Sequence, residues 1–193
     1  ALEYHDYPVV DWPAWFTNRG AQPSALISDI QALDEAFSGE SAQIYHCNGD
    51  FYSEYGYTPE ETPLEAGDTL AFTPAGGRPS DSAFPYYRVL FEGCGISLAI
   101  GWPGQWAVKF SGLEGGVHIL AGQELTSLRL NPGETVRTPR ITLMSWIGDS
   151  ARAINLWRRW YLAHVLPRPD GQPLKPKLAV CGPEEGEEFT AAT

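Results

Sequence analysis

Three short stretches hold the residues best able to do chemistry. Trp102-Pro103-Gly104-Gln105-Trp106 sets two indoles on either side of a tight turn with an amide between them. Gly77-Arg78-Pro79-Ser80-Asp81-Ser82 gathers a guanidinium, hydroxyls and a carboxylate in one loop, and Asn48-Gly49-Asp50 adds an amide and a second acid. Flat rings pack on the apolar faces of pyranoses, and Arg, Asn, Asp, Gln and Ser supply the donors and acceptors that sugar hydroxyls need. Trp102, Gln105, Trp106, Arg78, Ser80, Asp81, Asn48 and Asp50 are therefore the candidate carbohydrate-binding residues. Core packing or a solvated loop is the plain alternative for each of them. Trp102 is expected on the surface, whereas Trp106 alternates with Val108 and Phe110 and fits a core or a surface position equally.

Hydrolytic chemistry would need more. A retaining glycosidase uses two carboxyl groups about 5–5.5 Å apart, and among 24 acids Asp50, Glu54, Asp68 and Asp81 lie nearest to loops. No G-x-S-x-G, phosphate-binding loop or G-x-G-x-x-G follows a strand pattern, so serine-hydrolase and nucleotide readings have no support. Cys47, Cys94 and Cys181 are odd in number and widely spaced, which indicates neither a disulfide framework nor a zinc site. The stretch His46-Cys47-Asn48-Gly49-Asp50-Phe51-Tyr52 lacks the alternating acids of a calcium loop, and Asn48-Gly49 reads as a hairpin turn. His5, His118 and His164 stand apart and read as structural. No catalytic residue, metal or cofactor is expected.

From about residue 40 to 147 short runs separated by turn residues predict an antiparallel β-sandwich. Tyr87–Phe91 and Ile96–Ile100 flank a Glu92-Gly93-Cys94-Gly95 turn, and Trp106–Phe110 alternates cleanly. Val117–Leu120, Leu125–Leu130 and Ile141–Ile147 continue the series. Leu64-Glu65-Ala66-Gly67-Asp68-Thr69 and Leu130-Asn131-Pro132-Gly133-Glu134-Thr135 echo each other, which we read as shared turn chemistry with a type II turn at Pro132-Gly133. In the first third, Tyr7–Phe16 suits a proline-confined edge strand, and Leu26–Phe37 a strand followed by a helical turn. After Ile147 the period changes. Asp149 or Ser150 can cap a helix carrying Ile154, Trp157, Trp160, Tyr161 and His164, which Pro167 ends. A proline-rich linker and an acidic tail, Glu184 to Glu188, follow. The boundaries are a sandwich over 1–148, a helix and linker over 149–181 and a tail over 182–193.

The chain has 193 residues, 43% hydrophobic and 12% aromatic, which is one ordinary globular domain. A net charge of −11 argues against nucleic acid and anionic membranes, both of which call for clustered cations. No apolar run is long enough to span a bilayer, and no signal stretch opens the chain. Bacterial cytoplasm, periplasm and the exterior all stay open.

The ordered set from Leu64 to Arg168 resembles the N-terminal β-sandwich of α-galactosidases (melibiases), glycoside hydrolase family thirty-six. It comprises the Gly77–Ser82 stretch before Phe84-Pro85, the strand pair ending in Gly101-Trp102, Leu130-Asn131-Pro132-Gly133-Glu134, Thr138-Pro139 and the aromatic helix. The chain departs from it at Ser80-Asp81-Ser82-Ala83, where many members have histidine and asparagine, and at Gly101–Gln105, where many have a Tyr-Ser-Gly-Asn type segment. The resemblance implies an all-β supersandwich of the galactose-mutarotase type with a C-terminal helix, leading into a catalytic barrel whose two aspartates match nothing in this chain. It implies a non-catalytic domain that packs on the barrel through Trp157, Trp160, Tyr161 and His164, with oligomer and carbohydrate contacts as further roles. A free-standing carbohydrate-binding module is the alternative.

Overall fold

The computed structural model describes residues 1–50 and 54–174. Phe51 and Tyr52, the linker beyond residue 174, Cys181 and the acidic tail lie outside the described residues. The alternating runs fold as β1 (Leu2–Tyr4), β2 (Val9–Trp12), β3 (Trp15–Thr17), β4 (Ile27–Ser28), β5 (Gln31–Ser38), β6 (Gln43–Cys47), β7 (Pro59–Pro63), β8 (Thr69–Phe72), β9 (Tyr86–Phe91), β10 (Cys94–Gly101), β11 (Trp106–Leu113), β12 (Gly116–Gln123), β13 (Ser127–Leu128), β14 (Thr135–Arg137) and β15 (Arg140–Ile147), followed by helix α1 (Ser150–Trp160). All strand pairs are antiparallel. One sheet runs β1-β2-β15-β10-β9-β6-β7 and a second runs β5-β12-β11-β8, with two small ribbons, β13-β4 and β14-β3.

Period-two alternation decides what each sheet buries. Ile44, Tyr87, Val89, Leu98, Ile100 and Ile141 of the larger sheet meet Leu33, Trp106, Val108, Phe110, Val117, Ile119 and Ala121 of the smaller one in a single core cluster. The chain is thus the expected all-β sandwich. Its opposite, outer face on the larger sheet is also covered in part: Ser97, Ala99, Thr142, Met144 and Trp146 are all buried. Ala153 of α1 is fully buried, and the Trp157 ring stands edge-on to Tyr86 of β9 with centroids 5.9 Å apart.

Ala1–Arg158 forms one compact unit, and a second begins at Arg159. Asp149 caps α1, its Oδ1 accepting the Arg152 N–H at 2.8 Å. After Trp160 the coil widens over Tyr161–Val165, and the Leu166 N–H closes it onto the Tyr161 carbonyl at 3.0 Å. No helix of the described residues is long and apolar enough to cross a membrane.

Several local expectations change. β2 pairs with both β1 and β15 and so is interior, because Pro8 and Pro13 flank it without needing to donate within it. The stretch read as strand and helical turn is instead the short β4 and the eight-residue β5, which β12 holds along its length. The β9–β10 turn tightens to Glu92-Gly93, with Gly93 at φ +72°. The echoed turns are one device used twice. Gly67 (φ +92°) and Gly133 (φ +79°) each take the left-handed position. The Asp68 carboxylate accepts the Glu65 N–H at 3.0 Å and the Glu134 carboxylate accepts the Asn131 N–H at 2.8 Å.

Candidate functional site

The three stretches converge on one loop system. Gln105, just before β11, accepts the Gly77 N–H at 3.0 Å on its Oε1 and donates from Nε2 to Thr73 Oγ1 at 3.0 Å and to the Pro74 carbonyl. Its amide is consumed in holding the loop. Trp106 is fully buried, its ring edge-on to Tyr87 at 6.1 Å and its indole N–H donating to the Pro79 carbonyl at 2.8 Å. Strand alternation places it in the core, so it offers no face to a ligand.

Asn48 is likewise a staple. Its Oδ1 accepts the Thr58 N–H at 2.6 Å and its Nδ2 donates to the Tyr55 carbonyl at 2.9 Å, fastening a long β6–β7 connection. The Asn-Gly hairpin reading fails here, since neither residue takes positive φ. Gly49 is required for another reason: a Cβ there would sit 1.9 Å from the Ser80 carbonyl oxygen. That close approach lets the Asp50 N–H donate to the same carbonyl at 2.9 Å.

Five candidates remain on the rim. Arg78 is exposed, with its Nη1 4.0 Å from Asp81 Oδ2. Asp81 is buried, 8% exposed, and its Oδ1 accepts the Ser82 hydroxyl at 3.1 Å. Ser80 is half-buried and Asp50 is exposed. Trp102, expected on the surface, is half-buried against the core, with the Arg137 guanidinium 5.2 Å from its ring centroid. Gly104 packs beside its indole and lies close to the Gly77 carbonyl, which brings Trp102 next to the same loop. The rim therefore presents a guanidinium–carboxylate pair beside a partly open indole, a surface that could bind hydroxyls.

Two of the four candidate acids have side-chain partners in their own turns. Asp81 faces Arg78 and Ser82, while Asp68 closes its own turn beside Glu65. Among the described residues no group of three or more His, Cys, Asp or Glu could hold a metal ion. His118 has a partner that sequence distance concealed: its Nε2 lies 2.7 Å from Asp34 Oδ1. His5 and His164 are exposed. His46 is buried, packs at a tilt against the Phe72 ring with centroids 4.5 Å apart and hydrogen-bonds Thr62 Oγ1 at 3.1 Å. Burial holds its imidazole below the ordinary value of 6.5, with Glu60 opposing.

Of the helix aromatics, Trp160 is 3% exposed, Trp157 and Tyr161 are half-buried, and His164 is exposed. The large apolar side chains open to solvent from Trp160 to Leu166 are instead Leu162 (56%), Val165 and Leu166, with Ile154 earlier on α1 also exposed. One polar cluster carried no local signal at all. Arg140 donates to Asp11 Oδ2 at 2.7 Å and Tyr4 donates to the same oxygen at 3.1 Å, joining the β1-β2 and β15 strands across 129 positions.

No family model matches the chain, and no curated protein matches it. Solved structures do. An α-galactosidase from Lactobacillus brevis aligns with a TM-score of 0.71 and 15% identity, over 82% of this chain and 22% of that one. The galactosidase domain of an α-galactosidase–sucrose kinase gives 0.73 and 19%, over 88% and 24%. The family thirty-six α-galactosidase AgaA of Geobacillus stearothermophilus, in complex with raffinose, gives 0.70 and 17%, over 85% and 24%. The fold is that of an α-galactosidase domain. At these identities the likeness speaks to architecture alone. This α-galactosidase-like sandwich spans under a quarter of the length of the three enzymes.

Proposed function

We propose that the chain is the non-catalytic N-terminal β-sandwich domain of an α-galactosidase-like glycoside hydrolase, built to pack on a catalytic barrel. The observation that carries this reading is the asymmetry of coverage: four-fifths or more of this chain matches under a quarter of each enzyme. The buried candidate acid, Asp81, agrees with it, since its described partners are Arg78 and Ser82. Leu162, Val165 and Leu166 supply the apolar side chains that a barrel would cover, with Tyr161 and His164 beside them. Trp157 is already engaged, edge-on to Tyr86.

The rim of Arg78, Ser80, Asp81, Asp50 and Trp102 is the part of the domain suited to a sugar. The exposed Arg78 fork, on the loop that Gly104 brings close to the Trp102 indole, favours a second reading, a free-standing carbohydrate-binding module. Titrating the 193-residue chain with galactose and raffinose separates the two, with a chromogenic α-galactoside assayed alongside. The scaffold reading predicts no turnover and no saturable binding at about 1 mM or tighter. Binding at that level, lost in Trp102→Ala, favours the module. Turnover abolished by a single Asp→Asn substitution overturns both.

A further inference from the structure

On the outer face of the larger sheet, register sets Tyr45 of β6 beside Arg88 of β9, Arg88 beside Ser97 of β10, and Ser97 beside Met144 of β15. Ala153, Ile154 and Trp157 of α1 lie over this row and leave a cavity of about 110 Å³. The Arg88 guanidinium stacks on the Tyr45 ring, Cζ 3.6 Å from its centroid. Its Nε is buried with no hydrogen-bond partner, and so is the Oγ of Ser97, a residue only 4% exposed. Both line the same cavity. Among the described residues no carboxylate stands within ion-pair distance of Arg88.

A guanidinium Nε–H can only donate, and a serine hydroxyl can donate as well. Two buried donors facing one cavity without an acceptor is an arrangement that folded proteins rarely leave unanswered. The stack on Tyr45 fixes the plane of the guanidinium, so its fork is set before anything binds. We propose that this cavity is a binding site for a small organic carboxylate, with Arg88 and Ser97 holding its oxygens.

A carboxylate is the planar acceptor that a guanidinium matches with two parallel hydrogen bonds. Arg158 borders the opening and adds a second cation. The remaining walls, among them Leu98, Ile154 and Trp157, are apolar, which favours an acid with a short hydrocarbon body over inorganic phosphate. Charge at a distance does not prevent this. At physiological salt the chain's −11 is screened beyond about 8 Å, so the local cations set the field at the cavity.

The test is a titration of the ¹⁵N-labelled full chain with sodium butyrate, following the Arg88 Nε–H resonance together with the backbone amides of Ser97 and Ala153, which line the cavity and remain as the readout in Arg88→Gln. Butanol and inorganic phosphate at matched ionic strength are the controls. A saturable shift with butyrate alone is expected, weakened about tenfold in Arg88→Gln, the loss of one charge-assisted pair. Ser97→Ala, a smaller change that keeps Arg88 and the fold readable, is expected to weaken binding by a lesser factor. The proposal is overturned if wild-type Arg88 shows no saturable shift, in which case water fills the cavity. It is equally overturned if phosphate or butanol moves the resonance as butyrate does, or if affinity is unchanged in both variants.

Discussion

Replacing Trp106 with Phe distinguishes a loop anchor from a sugar platform. The ring is fully buried and its indole N–H donates to the Pro79 carbonyl at 2.8 Å. Phe keeps the hydrophobic character but removes the pyrrole edge, roughly three heavy atoms at about 0.8 kcal/mol each. Losing the hydrogen bond adds about 1 kcal/mol, since Pro79 is half-buried and water can reach its carbonyl only in part. The sum is about 3 kcal/mol of stability. It should appear in urea unfolding as a lower midpoint at unchanged slope. The loop over residues 73–82 should also lose amide protection before the core does, because Trp106 and Gln105 are its tethers. A Trp106→Phe protein as stable as wild type within about 0.5 kcal/mol would refute the anchoring argument.

Other consequences follow from the same geometry. Gly49→Ala should destabilise by about 2 kcal/mol or more, since its Cβ meets the Ser80 backbone oxygen at 1.9 Å rather than a movable side chain, and unaltered thermal stability would contradict this. Arg140→Ala leaves the buried Asp11 carboxylate with Tyr4 alone; because Arg140 is half exposed the expected cost is about 2 kcal/mol rather than the full buried-pair value, and Arg140→Lys should recover part of it. His46 is held below 6.5 by burial, so the folded state stays neutral while the unfolded chain takes up a proton. Its contribution is complete above pH 6.5 and is lost as pH falls toward the depressed folded value. Urea midpoints for wild type and His46→Gln at about pH 7.5 and about pH 5.5 should draw together at the lower pH, and a gap independent of pH would contradict the assignment.

Legibility followed the range of the forces involved. Trp106, Val108 and Phe110 could be grouped on one face because alternation is local, and β9, β10, β11 and β15 were visible for the same reason. β5 was not, because Gln31–Ser38 carries only a few apolar residues and owes its strand to pairing with β12, some eighty positions away. The turn chemistry at Gly67 and Gly133 was readable from residue type. The role of Gly49 was not, since nothing local announces that the Ser80 carbonyl will arrive beside it. Within the candidate site, composition picked out loops that the fold brings together, but it could not tell which of their side chains stay available. Gln105 and Asn48 look like ligand-binding amides until their donors and acceptors are counted and found to be spent on the backbone. Arg88 went unnoticed because a lone cation in an apolar strand looks like an exposed position until a helix lies over it.

The central claim is that this sandwich works as one part of a larger hydrolase. Antibody raised against the 193-residue chain, used on extracts of the source cells, tests it most directly. The account predicts a polypeptide several times that length, with α-galactoside hydrolysis in the immunoprecipitate. A single species of about 193 residues, with no hydrolytic activity recovered alongside it, would contradict it.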